Sequence, residues 1–244
     1  MRWVVEYYEQ ADTTQPAEEF EDSLKRHHKK LGAKLRAIAA AIEVYGPQLG
    51  GGLIEPCHDY KGLWEIRTIF NGFLGRELFG FDGEHNRVVL LHGYVKRVGQ
   101  PASIPDLNQA SEFWRDYQHT HKISPEVPGR EEQSFMSRFH QHLREDLSDP
   151  EFAEAFYDMS VDIALLQVLE QARKALNVSE KELAERMGVQ RTTVTRLFNA
   201  SHPNPTLDTI SDILRALGLQ AEIKISPASP EDAPIPIKAT FVPA

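Results

Sequence analysis

The 244-residue sequence has a single cysteine, no long hydrophobic run and no excess of positive charge. One cysteine, Cys57, excludes an internal disulfide and any cysteine-cluster zinc site, and it fits a reducing compartment. No apolar stretch approaches the roughly 20 residues of a membrane-spanning helix. The N-terminal "MRWVVEYYEQADTTQ" also lacks an apolar core of signal-peptide length before its acidic residues. The expectation is a soluble, cytoplasmic protein with no membrane partner. With 36 acidic against 27 basic side chains and a formal net charge of −9, the chain is not a general nucleic-acid coat, because sequence-independent phosphate binding needs clustered Lys and Arg. Any DNA contact has to be local. The histidines do not suggest a metal site: His119 with His121, and His140 with His142, fall on different sides of a helix and are read as solvent-exposed.

A hydrophobic content of 41% over this length is enough for two cores. The segment "HKISPEVPGREEQS" at 121–134 has two prolines, a glycine and mixed charges without periodicity, so it reads as a linker. The expected division is 1–120, the linker 121–134, a second unit at 135–228 and a proline-rich tail at 229–244. Before the linker the signals run strand, helix, helix, three strands, helix. After it they are helical as far as "LQAEIKIS" at 219–226, which has strand character. The fold class implied is α+β, with an all-α C-terminal unit.

In the C-terminal unit, "ALLQVLEQARKAL" at 164–176 places Leu165, Leu166, Leu169, Ala172 and Leu176 at the spacing of one buried helix face. A second helix starts near Glu180, where Ser179 can cap and Glu182 can return the bond. It turns inward Leu183, Ala184 and Met187, and it stops at Gly188, a residue suited to a left-handed turn. A third helix, from about Gln190 to Asn199, buries Val194 and Leu197. Its outer face keeps Gln190, Arg191, Thr192, Thr195 and Arg196. A fourth, "TLDTISDILRALG", is capped by Thr206 and closed by Gly218. Helix, glycine turn and polar-faced helix form the plan that lays a recognition helix in the major groove: Arg bonds guanine, Gln bonds adenine and the Thr methyl touches thymine.

The run "SEKELAERMGVQRTTVTRLFNASHPNPTLDTISDILRALG" resembles the XRE-type helix-turn-helix family of repressors and antitoxins over about residues 160–226, its helix-turn-helix proper at about 164–218. It departs from the family at Phe198-Asn199-Ala200, where Glu, a polar residue and Gly are usual. Upstream, "FMSRFHQHLREDLSDPEFAEAFYD" is similar to the start of HigA-type antitoxins. The resemblance implies operator DNA as partner and a homodimer.

In the N-terminal unit "RWVVEYY" reads as a strand, and "PAEEFEDSLKRHHKKLGAKLRAIAAAIEVYG" as two helices with a break near Gly32. Alternation in "LWEIRTIF" sets Trp64 and Ile66 against Glu65 and Arg67. In "FLGRELFGF" it sets Arg76 and Leu78 against Glu77, Phe79 and Phe81. In "RVVLLHGYVKR" it puts His92, Tyr94 and Lys96 on one face. Such a set of Arg67, Arg76, His92, Tyr94 and Lys96 can bind RNA phosphates and stabilise the charge that builds as a 2′-hydroxyl attacks the next phosphate, with Tyr94 free to stack on a base. The same residue types also suit a plain structural role, with Arg67 paired to Glu65 or Glu77, Lys96 solvated and His92 a satisfied core histidine.

The segment "LGGGLIEPCHDYKGLWEIRTIFNGFLGRELFGFDGEHNRVVLLHGYVKRV" is similar to the Gp49/HigB-like branch of the RelE toxin superfamily, and the likeness covers about residues 1–117. It implies a small antiparallel sheet with two N-terminal helices and a final helix, and a metal-independent, ribosome-associated mRNA endoribonuclease without cofactor. Arg67, Arg76 and Lys96 would be the functional residues, with His92 and Tyr94 beside them. Two departures point to weakened RNA affinity: "YVKRVGQPAS" replaces a more basic ending, and residues 1–120 hold 17 acidic against 14 basic side chains. The combined expectation is a toxin–antitoxin fusion that represses its own promoter, tethered at an effective concentration on the order of millimolar so that it neutralises itself. The rival is a transcription regulator whose toxin-like unit is an inactive dimerisation or sensing module. Gyrase poisoning, as in the related ParE branch, fits the "LLHGYVK" ending less well. The segment expected to cover the toxin half is "REDLSDPEFAEAFYD" at 144–158. Glu145, Asp146, Asp149, Glu151 and Glu154 would pair with Arg67, Arg76 or Lys96, and Phe152 and Phe156 would be buried.

Overall fold

The computed structural model describes residues 3–50, 52–123, 137–199 and 205–222. Five strands, β1 (Val4–Tyr7), β2 (Ile54–Pro56), β3 (Leu63–Phe70), β4 (Phe73–Asp82) and β5 (Arg87–Arg97), form one sheet in the order β1-β5-β4-β3-β2. It is not the antiparallel sheet expected: β5 returns to lie parallel to β1, and between β1 and β2 the helices α1 (Pro16–His27) and α2 (Lys29–Tyr45) cross one face. The break between these helices falls at His28, not Gly32. Gly32 lies inside α2, where a side chain would meet the Leu24 Cβ at 3.1 Å, so the glycine permits close approach of the helices rather than a turn.

Every residue of α2 from Leu31 to Glu43 is buried, as in a helix covered all round. One side packs on Ile66, Phe79 and Leu90 of the sheet. The other is covered from beyond the expected linker, by α4 (Arg138–Asp146) and the first half of α5 (Pro150–Ala175). Phe139, Leu143, Phe152, Phe156, Met159 and Ile163 join the same core as Tyr7, Leu35 and Ile38. The opposite sheet face is closed by α3 (Ile104–Ile123), through Leu107, Ala110, Trp114 and Tyr117. Since α3 continues to Ile123, the beginning of the expected linker is helical, while 124–136 lies outside the described residues.

Ions seal the α4–α5 junction. Asp146 pairs with Lys25 and, at 3.2 Å, with Arg36, which also holds Glu21 at 2.7 Å. Arg36 is 1% exposed, so its desolvation is tolerable only because carboxylates surround it. Burial and the neighbouring Glu21 charge hold the Glu77 carboxyl, just beneath, well above the usual carboxylate range. Lys29 pairs with Asp149 and Glu151, and Lys30 with Glu154. The acidic segment therefore does lie against the N-terminal half, with Phe152 and Phe156 buried, but its partners are on α1 and α2 rather than Arg67, Arg76 or Lys96. His140 and His142, expected in solvent, bond Glu43 at 3.0 Å and Glu18 at 2.9 Å.

Candidate functional site

The C-terminal half of α5 leads into α6 (Glu180–Met187), α7 (Arg191–Asn199) and α8 (Leu207–Leu217). The first helix of this unit does not begin near residue 164. It is the end of the 26-residue α5, whose Phe152, Phe156 and Ile163 serve one core and whose Leu166 and Leu169 serve another. Leu165 is partly buried and Leu176 is 42% exposed, so the inward face is narrower than its spacing suggested. Ser179 caps α6, accepting from the Glu182 N–H at 3.1 Å, while the Glu182 carboxylate turns to Arg186. Gly188 ends the helix at φ 69°, and Thr206 and Gly218 cap α8 at its two ends. Residues 200–204 and the strand expected after 222 lie outside the described residues, and 219–222 form no strand.

Around the core of Leu166, Leu169, Leu183, Ala184, Val194, Phe198, Ile213 and Leu217, α7 turns outward Arg191, Thr192 and Arg196, and Gln190 stands just before it, all exposed. Neither arginine has an ion-pair partner among the described residues, so both are free to meet a phosphate or a guanine edge. Thr195 differs from expectation. It is partly buried, and its hydroxyl donates to Glu180 at 2.6 Å, which makes it a brace between α6 and α7. Phe198, where the sequence departs from the XRE pattern, is 5% exposed and fills the core under the Arg173 guanidinium, 6.0 Å from its ring centroid. Arg173 is locked by Glu170 and by the Val178 carbonyl at 2.5 Å. The aromatic replaces a polar turn residue with a packing anchor.

On the sheet, the strand register places Arg67 opposite Arg76, Arg76 opposite Tyr94, and Leu74 opposite Lys96. A bulge between Leu78 and Phe79 leaves Leu91 as the extra residue of β5. The bulge explains how Val89 and Leu91, then Tyr94, serve the α3-side core, and it carries His92, Tyr94 and Lys96 to that face. The five sequence-selected residues thus share one side of the sheet.

Two opposed arginines repel unless a carboxylate intervenes. Glu65 intervenes: it is 2.7 Å from Arg76 and 3.9 Å from Arg67, while Arg67 also pairs with Glu55. Burial raises the Glu65 carboxyl, and the Arg76 and Arg67 charges pull it back. Lys96 is lowered by partial burial and by Arg76, and its ammonium donates to the Gln100 carbonyl. Tyr94 is 8% exposed, packed against α3 with its hydroxyl accepting from the Ser103 N–H, so its ring is not open to stack on a base. His92 pairs with Asp106 at 2.8 Å. Sequence reasoning missed Glu55 and Asp106 as partners in this cluster, since neither lies on the strands that carry the cations. Cys57, half-buried nearby, has its thiol pushed up to about 12 by burial and the Glu65 charge, and it is no nucleophile at neutral pH.

Residues 169–223 match the family model HTH_3, described as helix-turn-helix. No curated protein matches the chain. The match and the geometry of α6 and α7 support a DNA-binding transcription regulator. None of the described helices is long and apolar enough to cross a membrane.

Proposed function

We propose that the chain is a toxin–antitoxin fusion: a sequence-specific autorepressor whose N-terminal unit is a HigB-like mRNA endoribonuclease neutralised within the same chain. The observation that carries this reading is the way α4 and α5 cover α2, burying Phe139, Phe152 and Phe156 and pairing Asp146 and Asp149 with Arg36 and Lys29. An antitoxin segment that binds its toxin would make this kind of contact. Because α4 and α5 sit on the sheet face opposite Arg67, Arg76 and Lys96, neutralisation would come from bulk that keeps the unit out of a ribosome, not from plugging the cationic face. On that face Arg67, Arg76 and Lys96 would hold the scissile phosphate, and the RNA would supply its own nucleophile. DNA would be read by Arg191, Gln190, Thr192 and Arg196, as a homodimer on an inverted repeat.

One observation favours a second reading, a regulator with an inactive toxin-like unit: Glu55 and Glu65 neutralise both arginines of the cluster. Expression of residues 1–123 alone, with its fold followed by tryptophan emission, separates the two. The fusion reading expects arrested growth and cut translated mRNA, relieved by Arg76→Ala or Lys96→Ala and by residues 137–222 supplied in trans. A folded, well-expressed fragment that leaves growth and mRNA untouched selects the regulator reading.

A further inference from the structure

The cationic face and the recognition helix meet at one segment, the lead-in to β2. Gly52 has φ +61°, and a Cβ built on it would stand 2.6 Å from the Asn199 carbonyl oxygen at the end of α7. Glycine alone suits that backbone angle and that distance, so the contact is backbone against backbone and has no side chain to yield. Beside it the Gly50 N–H donates to Gln167 Oε1 of α5 at 3.4 Å. A cavity of about 80 Å³ opens there, lined by Leu53, Ile163, Leu166, Gln167, Leu197 and Phe198.

Arg67 holds the same segment from the sheet. Its Nε donates to the Gly52 carbonyl at 3.4 Å and its backbone N–H to the Leu53 carbonyl at 3.0 Å, while its guanidinium pairs with Glu55. On the far side, Asn199 Nδ2 donates to the Thr195 carbonyl at 2.9 Å, and Thr195 and Asn199 both bond Glu180. A continuous set of contacts therefore runs from the Arg67 guanidinium through Gly52 to the end of the DNA-contacting helix.

We propose that the Arg67–Arg76 face is an effector site for a phosphate-bearing ligand, and that filling it lowers affinity for operator DNA through the Gly52–Asn199 contact. The Arg67 side chain is 27% exposed and its Glu55 partner 41%, so a phosphate can reach the guanidinium and displace the carboxylate. Phosphate presents oxygens in the geometry the guanidinium fork prefers. Turning toward the ligand withdraws the Nε bond from Gly52, the lead-in to β2 loosens, and α7 loses the stop against its last turn. Linkage makes the effect reciprocal: bound DNA weakens the phosphate ligand by the same factor. An RNA backbone and a small polyphosphate share this chemistry. The proposal rests on the DNA-contacting role of α7 and is independent of nuclease activity.

The test uses the full chain and a duplex it selects from a random-sequence pool, titrated at fixed ionic strength without and with each of two probes, inorganic pyrophosphate and a non-cleavable 2′-O-methyl hexaribonucleotide. The dissociation constant for the duplex should rise at least about fivefold at saturating probe, the low end of measured couplings. A response to the hexaribonucleotide alone assigns the site to RNA, and a response to pyrophosphate as well assigns it to phosphate in general. Arg76→Ala should lose the ratio between probe-bound and probe-free affinity, and Gly52→Ala should weaken duplex binding with no probe present. Equal probe ratios in wild type and Arg76→Ala would reduce the effect to ionic screening and overturn the site. Unchanged duplex binding by a folded Gly52→Ala protein would overturn the route. A chain that selects no duplex overturns the DNA reading and this proposal with it, whereas a selected duplex indifferent to both probes overturns the coupling alone.

Discussion

Replacing Phe156 by alanine removes a ring that is 0% exposed and lies in one core with Tyr7, Leu35 and Ile38, residues of the N-terminal unit. Truncating a fully buried phenylalanine costs about 3–5 kcal/mol, from lost transfer free energy and from the cavity left behind. The molecule supplies its own assay, because its three tryptophans, Trp3, Trp64 and Trp114, all precede the expected linker. If α5 is part of that core, a substitution beyond the linker must shift an unfolding transition reported only by residues before it. With a urea slope of about 2 kcal/mol per molar, the midpoint should fall by about 1.5–2.5 M while the slope stays the same. An unmoved tryptophan transition, with helix content lost separately at lower urea, would refute the shared core and with it the covering of α2 by α4 and α5.

Three further substitutions probe other contacts of the fold. Asp146→Ala strips Lys25 and Arg36 of a buried partner and should cost about 3 kcal/mol in thermal unfolding, the low end for a broken buried pair since Arg36 keeps Glu21. Asp162 is raised from 3.8 to about 6 by burial, with Lys34 opposing and Asp158 adding. The folded state therefore binds this proton more tightly than the unfolded chain, so the charged carboxylate costs stability above about pH 6 and the cost fades as pH falls toward 4. Asp162→Asn should accordingly raise the melting temperature at pH 8 and not at pH 4. Gly188→Ala meets no atom within 4 Å but must adopt φ 69°, so it should cost about 1–2 kcal/mol by strain alone, read as a lower denaturation midpoint for α6 and α7.

The helix-turn-helix unit was legible because its signals are local. Ser179, Gly188, Thr206 and Gly218 each act within one turn of their own position, as caps do. The face shared by Arg67, Arg76, His92, Tyr94 and Lys96 was equally legible from strand alternation. What stayed hidden depends on contacts distant in sequence. The length of α5 is not legible in the sequence because its apolar stripe changes partner, from α2 at Phe152 and Phe156 to α8 and its neighbours at Leu166 and Leu169. The partners of Asp146 and Asp149 could not be read, because nothing in the sequence says which face of the sheet α4 and α5 will cover. Gly32 misled because glycine serves close approach as well as turns. The three-residue β2 is too short to leave a pattern, yet it carries Glu55, the partner that holds Arg67.

Whether α7 reads a DNA sequence is decided by equilibrium titration of the full chain against duplexes enriched from a random pool. An inverted-repeat consensus bound by a dimer is expected, with Arg191→Ala weakening binding by about 1–3 kcal/mol and relaxing preference at one position of each half-site. A pool in which no sequence is enriched, or an affinity that is the same for random duplexes and for the Arg191→Ala protein, would contradict it.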